Sequence, residues 1–316
     1  MQKVLVTGAR GVIGTLLWQA LEDSGWSVWP FDTAFAPGTV GHGDIRDSVA
    51  LDDALAECDG IIHLAAVSRV IDGERDPDAC RSINIEGTRT LVESAAASRR
   101  RLWILFMSSC QVYGSPAQLP VIESDPIAPV NIYGRSKAEG EQLIDDARAK
   151  GLRTAILRLP NVYGSVKDYP DRAVPAFALR AVQGQPLQVT GASQLFDFLH
   201  VSDAVSGIAR TACRLAEGTP HLPSMNLATG RGISLGELAR LAKELAVSDS
   251  CIIEGMPRPF DTLGYVGNPR RASQMLGWEA HIPIEVGLAR LISAFSDSAT
   301  PSLLSGDVTV ETRQIG

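Results

Sequence analysis

The sequence is short of cysteine and of clustered positive charge, and each shortage excludes a class of protein. Its five cysteines are an odd number, lie far apart and never form a Cys-x-x-Cys pair, which argues against a disulfide framework and against a zinc site. The net charge is −7 and the longest basic run is residues 99–101, so the charge pattern of a nucleic-acid-binding protein is missing. We therefore expect a cytoplasmic protein with reduced thiols and neither a metal nor a nucleic-acid partner.

Long apolar runs are also missing. The longest are of strand length, and residues 1–3 alone precede the first strand, so we expect neither a membrane span nor a signal peptide. The chain has 316 residues, 45% of them apolar, which is enough for one large α/β domain or two closely associated ones.

What the chain does contain is a glycine loop between an apolar, β-branched run that starts at Lys3 and a segment with helical spacing. Gly8 permits a sharp turn, Gly11 lets a phosphate approach the backbone, and Gly14 lets the helix pack against the strand. A pyrophosphate then lies on the helix N-terminus. The predicted dinucleotide contacts in this segment are Gly8, Gly11, Val12, Ile13 and Gly14.

The context of the loop strengthens this prediction, because three glycines alone are a weak signal. The predicted helix has an apolar face of Leu16, Leu17, Ala20 and Leu21 and ends at Gly25, and residues 27–31 form a second strand followed by Asp32. A carboxylate there accepts both hydroxyls of the adenine ribose and repels a 2′-phosphate. NAD is therefore predicted over NADP; the alternative is a solvent-facing aspartate on an ordinary sheet.

Two further segments are predicted to form the cofactor wall. Asp44 and Ile45 suit an adenine edge, although Asp44 is equally explained as the N-cap of the following helix. Residues 60–66 are predicted as the fourth strand, ending on the small residues of Leu64-Ala65-Ala66, which leave room for a ribose and phosphates. His63, within this strand, is interpreted as a core histidine.

Hydroxyl groups follow the next strand, at 102–107. Ser108 and Ser109 lie at its carboxyl end, where parallel sheets bind ligands. A helix then places Tyr133 and Lys137 one turn apart on one face. Lowering a tyrosine pKa from near 10 by about three units takes roughly 4 kcal/mol of phenolate stabilisation, which a buried ammonium and a nicotinamide cation supply. Tyr133 is therefore predicted to be a general base.

Together these motifs resemble the extended short-chain dehydrogenase/reductase family, the sugar-nucleotide epimerases and dehydratases. The resemblance covers nearly the whole chain and implies a Rossmann-type α/β fold with a doubly wound parallel sheet and a smaller carboxyl-terminal substrate lobe. The NAD-binding domain is expected at 1–165, with a return of the chain around 195–229, and the substrate lobe with a polar tail at 166–316. Further matching segments are 84–88, 112–114, 158–164, 191–203 and 276–278.

The resemblance also implies roles for individual residues. Tyr133 is the catalytic base, Lys137 holds the nicotinamide ribose and lowers the tyrosine pKa, and Ser109 binds the reacting sugar oxygen. The other implied cofactor contacts are Asn84, Ser108 and Pro160, and the other implied substrate contacts are Ser68, Cys110, Asn161 and Arg258.

Two departures from the family pattern matter. Phe196 stands where the family often has an arginine that grips the nucleotide diphosphate, although Arg258 matches a second such arginine. Cys110-Gln111 replaces the Asp-Glu pair of the dehydratases, and glutamine exchanges no proton near neutral pH. Cys110 is interpreted as a small apolar filler beneath the sugar, with an acid role as the alternative.

The leading hypothesis is an NAD-dependent sugar-nucleotide epimerase acting at sugar C4, through transient oxidation to a keto-sugar and return of the hydride. The alternatives are a nucleotide-sugar dehydratase or keto-sugar reductase of the same family, and a catalytically silent NAD-binding protein.

A homodimer is predicted through two helices, at 78–98 and 132–149, as the family resemblance implies, with a monomer as the alternative. Their candidate contact residues are Ala79, Ala96, Ala97, Ala138, Leu143 and Ala147. In the carboxyl half, helices are predicted at 174–182, 234–245 and 284–295, loops at 169–173 and 220–224, and a loose tail from 296 that includes Val308-Thr309-Val310.

Overall fold

The computed structural model describes residues 2–299, and a six-stranded parallel sheet forms the larger lobe. Its strands are β1 (Lys3–Thr7), β2 (Ser27–Phe31), β3 (Gly60–His63), β4 (Trp103–Ser109), β5 (Arg153–Leu159) and β9 (Met225–Asn226). They run in the order β2-β1-β3-β4-β5-β9. The direction of winding reverses between β1 and β3, the point where open α/β sheets bind ligands.

Helices cover both faces of this sheet. They are α1 (Val12–Asp23), α2 (Ser48–Leu55), α3 (Val70–Arg75), α4 (Pro77–Arg81), α5 (Thr88–Ala97), α6 (Ile132–Ala149) and α8 (Val201–Ala216). Side chains alternate along a strand, so Val4 and Val6 pack with α1 and α8 on one face. Leu5 packs with α2, α5 and α6 on the other.

The smaller lobe has its own apolar core. Its strands are β6 (Asn161–Tyr163), β7 (Leu187–Thr190), β8 (Leu195–His200), β10 (Gly232–Ser234), β11 (Ile252–Gly255) and β12 (Gly264–Tyr265). β8 pairs with β6, β10 and β12, and β7 pairs with β11. The helices in this half are α7 (Ala173–Val182), α9 (Leu235–Leu245) and α11 (Ile284–Ala299), whereas α10 (Arg270–Leu276) returns to pack on α8 and β9.

The α/β fold with a doubly wound parallel sheet is confirmed, and several local predictions were wrong. Residues 60–66 hold the third strand rather than the fourth, because 41–47 contributes only an isolated bridge between Asp32 and His42. The strand also stops at His63, so Leu64-Ala65-Ala66 lies beyond it. Leu16 is exposed and does not belong to the buried face of α1.

The predicted helix 78–98 is divided. A π-helical turn, Ser82–Gly87, separates α4 from α5. Thr88 donates its hydroxyl to the carbonyl of Asn84 at 2.7 Å within this distorted turn. The tail predicted from 296 also begins too early, because α11 continues to Ala299; Val308-Thr309-Val310 lies outside the described residues.

Candidate active site

A cleft of about 690 Å³ opens at the carboxyl ends of β1, β3 and β4 and extends to the smaller lobe. It brings together nearly every residue singled out from the sequence. The lining includes Gly8, Gly11, Val12, Ile13, Gly14, Asp32, Asp44, Ile45, Leu64, Ala65, Ala66, Ser68, Ser108, Ser109, Cys110, Tyr133, Lys137, Pro160, Asn161 and Arg258. The cleft therefore has two halves, one formed by the glycine loop and one by the smaller lobe. Tyr133 lines the cleft and lies between these two segments in the sequence.

The glycine loop leaves no space for side chains. Gly8 has a φ of +71°, and a Cβ there would lie 2.7 Å from the backbone nitrogen of Ala65; at Gly14 a Cβ would lie 2.1 Å from the carbonyl oxygen of Gly8. Gly11 caps α1 without a side-chain hydrogen bond, which leaves the first N–H groups of the helix available. This arrangement fits the pyrophosphate of a dinucleotide.

Asp32 is held at the end of β2 by two backbone donors. Its carboxylate oxygens accept hydrogen bonds from the N–H groups of Arg10 and Ala34, each at 2.9 Å. A carboxylate has further lone pairs free for ligand hydroxyls. Its place in the cleft wall fits the adenine ribose of NAD.

Asp44 lines the cleft, but its carboxylate is already paired with a neighbouring residue. Arg46 binds both of its carboxylate oxygens, with Nη2 at 2.5 Å from Oδ2, and this hydrogen-bonded guanidinium lowers the pKa of Asp44. The N-cap alternative is wrong, because Asp47 caps α2 by accepting from Val49 and Ala50. The adenine edge of the cleft is therefore an Asp44–Arg46 ion pair beside Ile45.

Ser109, Tyr133 and Lys137 meet in the middle of the cleft. α6 starts at Ile132 because Asn131 caps it, accepting from the N–H of Gly134 at 2.7 Å, and this places Tyr133 in the first turn. The Ser109 hydroxyl lies close enough to the Tyr133 phenol to lower its pKa. Lys137, one turn later and buried, donates to the carbonyl of Met107 at 2.9 Å.

Burial shifts the pKa values of these groups in the protein alone. It raises the pKa of Tyr133 to about 12, and the Ser109 hydroxyl and the charge of Arg172 offset only part of this rise. The lowering expected from Lys137 together with a nicotinamide cation stays a prediction. Burial also lowers the pKa of Lys137 to about 8, so its ammonium is only moderately favoured at neutral pH.

Two predicted cofactor residues have other partners. Ser108 donates its hydroxyl to Glu141 at 2.5 Å, and Glu141 is bound through both oxygens by the buried Arg158. Asn84 lies outside the cleft lining. Its side chain accepts from the N–H of Val67 at 2.8 Å and donates to the hydroxyl of Ser136 at 2.9 Å, so it holds the segment that carries Ser68.

Cys110 and Gln111 offer no acid–base pair. Burial raises the pKa of the Cys110 thiol to about 12, and the side chain packs in an apolar cluster with Tyr113 and Tyr265. Gln111 accepts from the Nδ2 of Asn131 at 2.8 Å. His63 is a core histidine, bonded to Thr7 at 2.7 Å and to Thr88 at 3.0 Å.

The small-lobe half continues into a second cavity of about 140 Å³, and Asn161 and Gln111 line both cavities. Phe196 lies in the wall of the second cavity, packed edge-to-face against Phe198 with ring centroids 6.5 Å apart. Arg258 lines the larger cleft and is ion-paired through two nitrogens with Asp261. β8 itself contains no lysine or arginine.

Sequence reasoning gave no role to several cleft residues, among them Arg69, Asp168, Tyr169 and Arg172. Arg69 stacks its guanidinium 4.5 Å from the centroid of the Tyr169 ring and pairs with Asp171. Arg172 donates to the carbonyl of Ser68 at 3.2 Å. These contacts join a loop of the smaller lobe to the segment after β3, a long-range meeting that no local spacing signals.

Two features are absent from the described part of the chain. No cluster of three or more His, Cys, Asp or Glu side chains suited to a metal ion occurs in residues 2–299. Within the same range, no helix has both the length and the apolar character that crossing a bilayer requires.

Comparisons with known proteins agree with this geometry. UDP-glucose 4-epimerase of Rhizobium meliloti (strain 1021) is 32% identical over 305 residues, which cover 87% of this chain and 92% of that protein. UDP-glucuronic acid decarboxylase 4 of Arabidopsis thaliana is 29% identical, over 93% of this chain and 68% of that one. The structure of MoeE5 in complex with UDP-glucose and NAD superposes with a TM-score of 0.86 at 29% identity, covering 94% and 100% of the two chains.

The family model for the NAD dependent epimerase/dehydratase family matches residues 4–228. The expected family and the expected NAD cofactor are thereby confirmed. The glycine loop, Asp32 and the group of Ser109, Tyr133 and Lys137 all lie within these matched residues. The chain is therefore a member of the NAD-dependent epimerase/dehydratase family of the extended short-chain dehydrogenases/reductases.

Proposed function

We propose that this protein is an NAD-dependent epimerase that inverts C4 of a UDP-linked sugar. The observation that carries the proposal is that Ser109, Tyr133 and Lys137 line one cleft, with Lys137 one helical turn after Tyr133 and bonded to the carbonyl of Met107. The identity to UDP-glucose 4-epimerases over most of the chain supports the choice of reaction.

In this reaction Tyr133 takes the proton of the C4 hydroxyl, and Ser109 donates a hydrogen bond to the same oxygen. Bound NAD supplies the acceptor and donor of the hydride at C4. The glycine loop and Asp32 hold the dinucleotide, and Lys137 contacts its nicotinamide ribose. A positive nicotinamide ring and Lys137 together favour the phenolate, which offsets the burial that raises the tyrosine pKa in the protein alone.

The remaining substrate contacts are also proposals. Asn161 orients the sugar, and Arg258 binds the diphosphate after exchanging part of its pairing with Asp261. Phe196 contributes an apolar wall in place of a second cation.

Dehydratase chemistry is disfavoured, because neither Cys110 nor Gln111 exchanges a proton near neutral pH. A net keto-sugar reductase and a silent NAD-binding protein are separated from an epimerase by one experiment. The purified protein is incubated with UDP-galactose without added cofactor, and the products are resolved by chromatography. We expect UDP-glucose to form with NAD retained on the protein. No conversion of UDP-galactose, but reduction of a UDP-4-keto-sugar with stoichiometric consumption of NADH, identifies a reductase, and no reaction of either substrate identifies a silent protein.

A further inference from the structure

Asp168 is a buried carboxylate in the cleft wall with one oxygen unused. Its Oδ1 accepts from the N–H of Tyr169 at 2.8 Å, whereas its Oδ2 has no hydrogen-bond partner among the described residues. The side chain is only 1% exposed. A buried acceptor without a donor is destabilising, so a ligand hydroxyl that donates to Asp168 relieves a penalty that the protein alone carries.

Arg172 provides donors beside this acceptor. Its Nη1 lies 3.5 Å from Oδ1 of Asp168, a single long contact, and its Nη2 donates to the carbonyl of Ser68. A guanidinium has five N–H donors, so several are unused. Arg258 differs, because Asp261 already binds two of its nitrogens.

The pair lies near the reacting end of the cleft. Arg172 donates to Ser68, and the segment that follows Ser68 packs against α6 at Gly73, where a Cβ would lie 3.3 Å from the backbone nitrogen of Tyr133. The charge of Arg172 also acts on the Tyr133 phenol. Phe196, in contrast, lines the second cavity and not the main cleft. The group that meets Asp168 and Arg172 is therefore part of the sugar.

The charges in this wall decide what that group is. Arg69 pairs with both Asp72 and Asp171, so the guanidinium groups of Arg69 and Arg172 face three carboxylates. The wall has no net positive charge. A sugar carboxylate would be repelled by Asp168, whereas a hydroxyl both donates to Asp168 and accepts from Arg172.

We propose that Asp168 and Arg172 form a sugar-selecting pair that binds a hydroxyl of a neutral hexose and disfavours a hexuronate. The inference deepens the proposed function and rests on it. It addresses a division among the relatives, which include a UDP-glucose epimerase and a UDP-glucuronic acid decarboxylase.

The test is calorimetric titration of the purified NAD-containing protein with UDP, UDP-glucose and UDP-glucuronate. We expect the wild type to prefer UDP-glucose over UDP-glucuronate by at least about tenfold, or about 1.4 kcal/mol. Asp168→Asn removes the charge and should reduce this preference at least fivefold (on the order of 1 kcal/mol) without changing the affinity for UDP. Asp249→Asn, an exposed carboxylate outside the cleft, is the matched control and should leave all three affinities unchanged.

Arg172→Gln is the second variant, and it should weaken UDP-glucose more than UDP. A wild type that prefers UDP-glucuronate, or an Asp168→Asn protein that melts normally and keeps the wild-type preference, overturns the inference while leaving the proposed function intact. Failure of the wild type to bind UDP or either sugar nucleotide instead overturns the proposed function, and the inference with it.

Discussion

The ammonium of Lys137 donates a hydrogen bond to the carbonyl of Met107, two residues before Ser109. This contact joins α6 to the carboxyl end of β4. Tyr133 lies one turn before Lys137 on the same helix, so this bond fixes the position of the proposed base relative to Ser109. The catalytic geometry thus depends on a buried cation whose pKa burial lowers to about 8.

Replacing Tyr133 by Phe keeps the ring packing and removes the acid–base group. We expect turnover to fall at least about a hundredfold, the lower end for general acid–base catalysis, with little change in NAD affinity. Steady-state kinetics and cofactor titration measure the two effects. Cys110→Ala is the comparison and should retain activity within about twofold, because the thiol packs in an apolar cluster and carries no proton of the reaction; the reverse pattern would place the base at Cys110.

Asp32 should set cofactor choice. Its carboxylate is fixed by Arg10 and Ala34 at the end of β2 and would face a 2′-phosphate at close range. We expect NAD to bind at least tenfold more tightly than NADP, about 1.4 kcal/mol. Calorimetry with both cofactors checks this, and Asp32→Ala should reduce the ratio. Equal affinities in the wild type would refute the role of Asp32.

His63 should make folding stability depend on pH. Burial lowers its pKa from 6.5 to about 3, so the folded state keeps it neutral. The unfolded chain binds a proton below its own pKa, and stability is lost as the pH falls from 6.5 toward 3. Between pH 7 and pH 5 this costs about 2 kcal/mol.

Urea unfolding at both pH values measures this cost, with His63→Gln as the comparison. Asp197 acts in the opposite direction, because burial raises its pKa to about 6, but it is present in both proteins and cancels in the difference. Wild type should lose about 2 kcal/mol more than the variant. Equal losses would show that His63 takes up its proton in the folded state.

A two-fold homodimer through α5 and α6 remains a prediction. Ala96 and Ala97 are exposed on α5, whereas Ala147 is buried within the fold and was wrongly counted among the contact residues. Light scattering coupled to gel filtration should give twice the 33.7 kDa chain mass. Ala96→Arg should shift it toward the monomer, and Ser206→Arg on exposed α8 surface should not. A monomer at every concentration excludes the dimer.

The sequence predicted best where function depends on local spacing. Gly8 and Gly14 lie in one loop–helix segment, and Tyr133 and Lys137 lie in one helix. Short-range geometry therefore determines the relative position of each pair. Ser108 was assigned to the cofactor from the family resemblance, but its hydroxyl donates to Glu141, which the buried Arg158 binds from another strand.

Asn84 and Asp168 show why the long-range contacts of the site could not be predicted from the sequence. The π-helical turn that directs Asn84 toward Val67 has no local sequence rule. Asp168 and Arg172 flank a loop whose position is set by its contacts with Ser68 and Arg69 across the cleft, and such pairings arise only from the complete fold.

The sheet of the larger lobe is completed by β9, and α8 and Trp278 lie in its core beside Val4 and Leu157. The carboxyl half of the chain therefore supplies part of the core of the larger lobe, and the two lobes are not separable units. A fragment ending at residue 165 would expose the whole apolar face that α8 covers. Exchanging one lobe for that of another protein would therefore remove part of the core of both, so the two lobes can only be varied together.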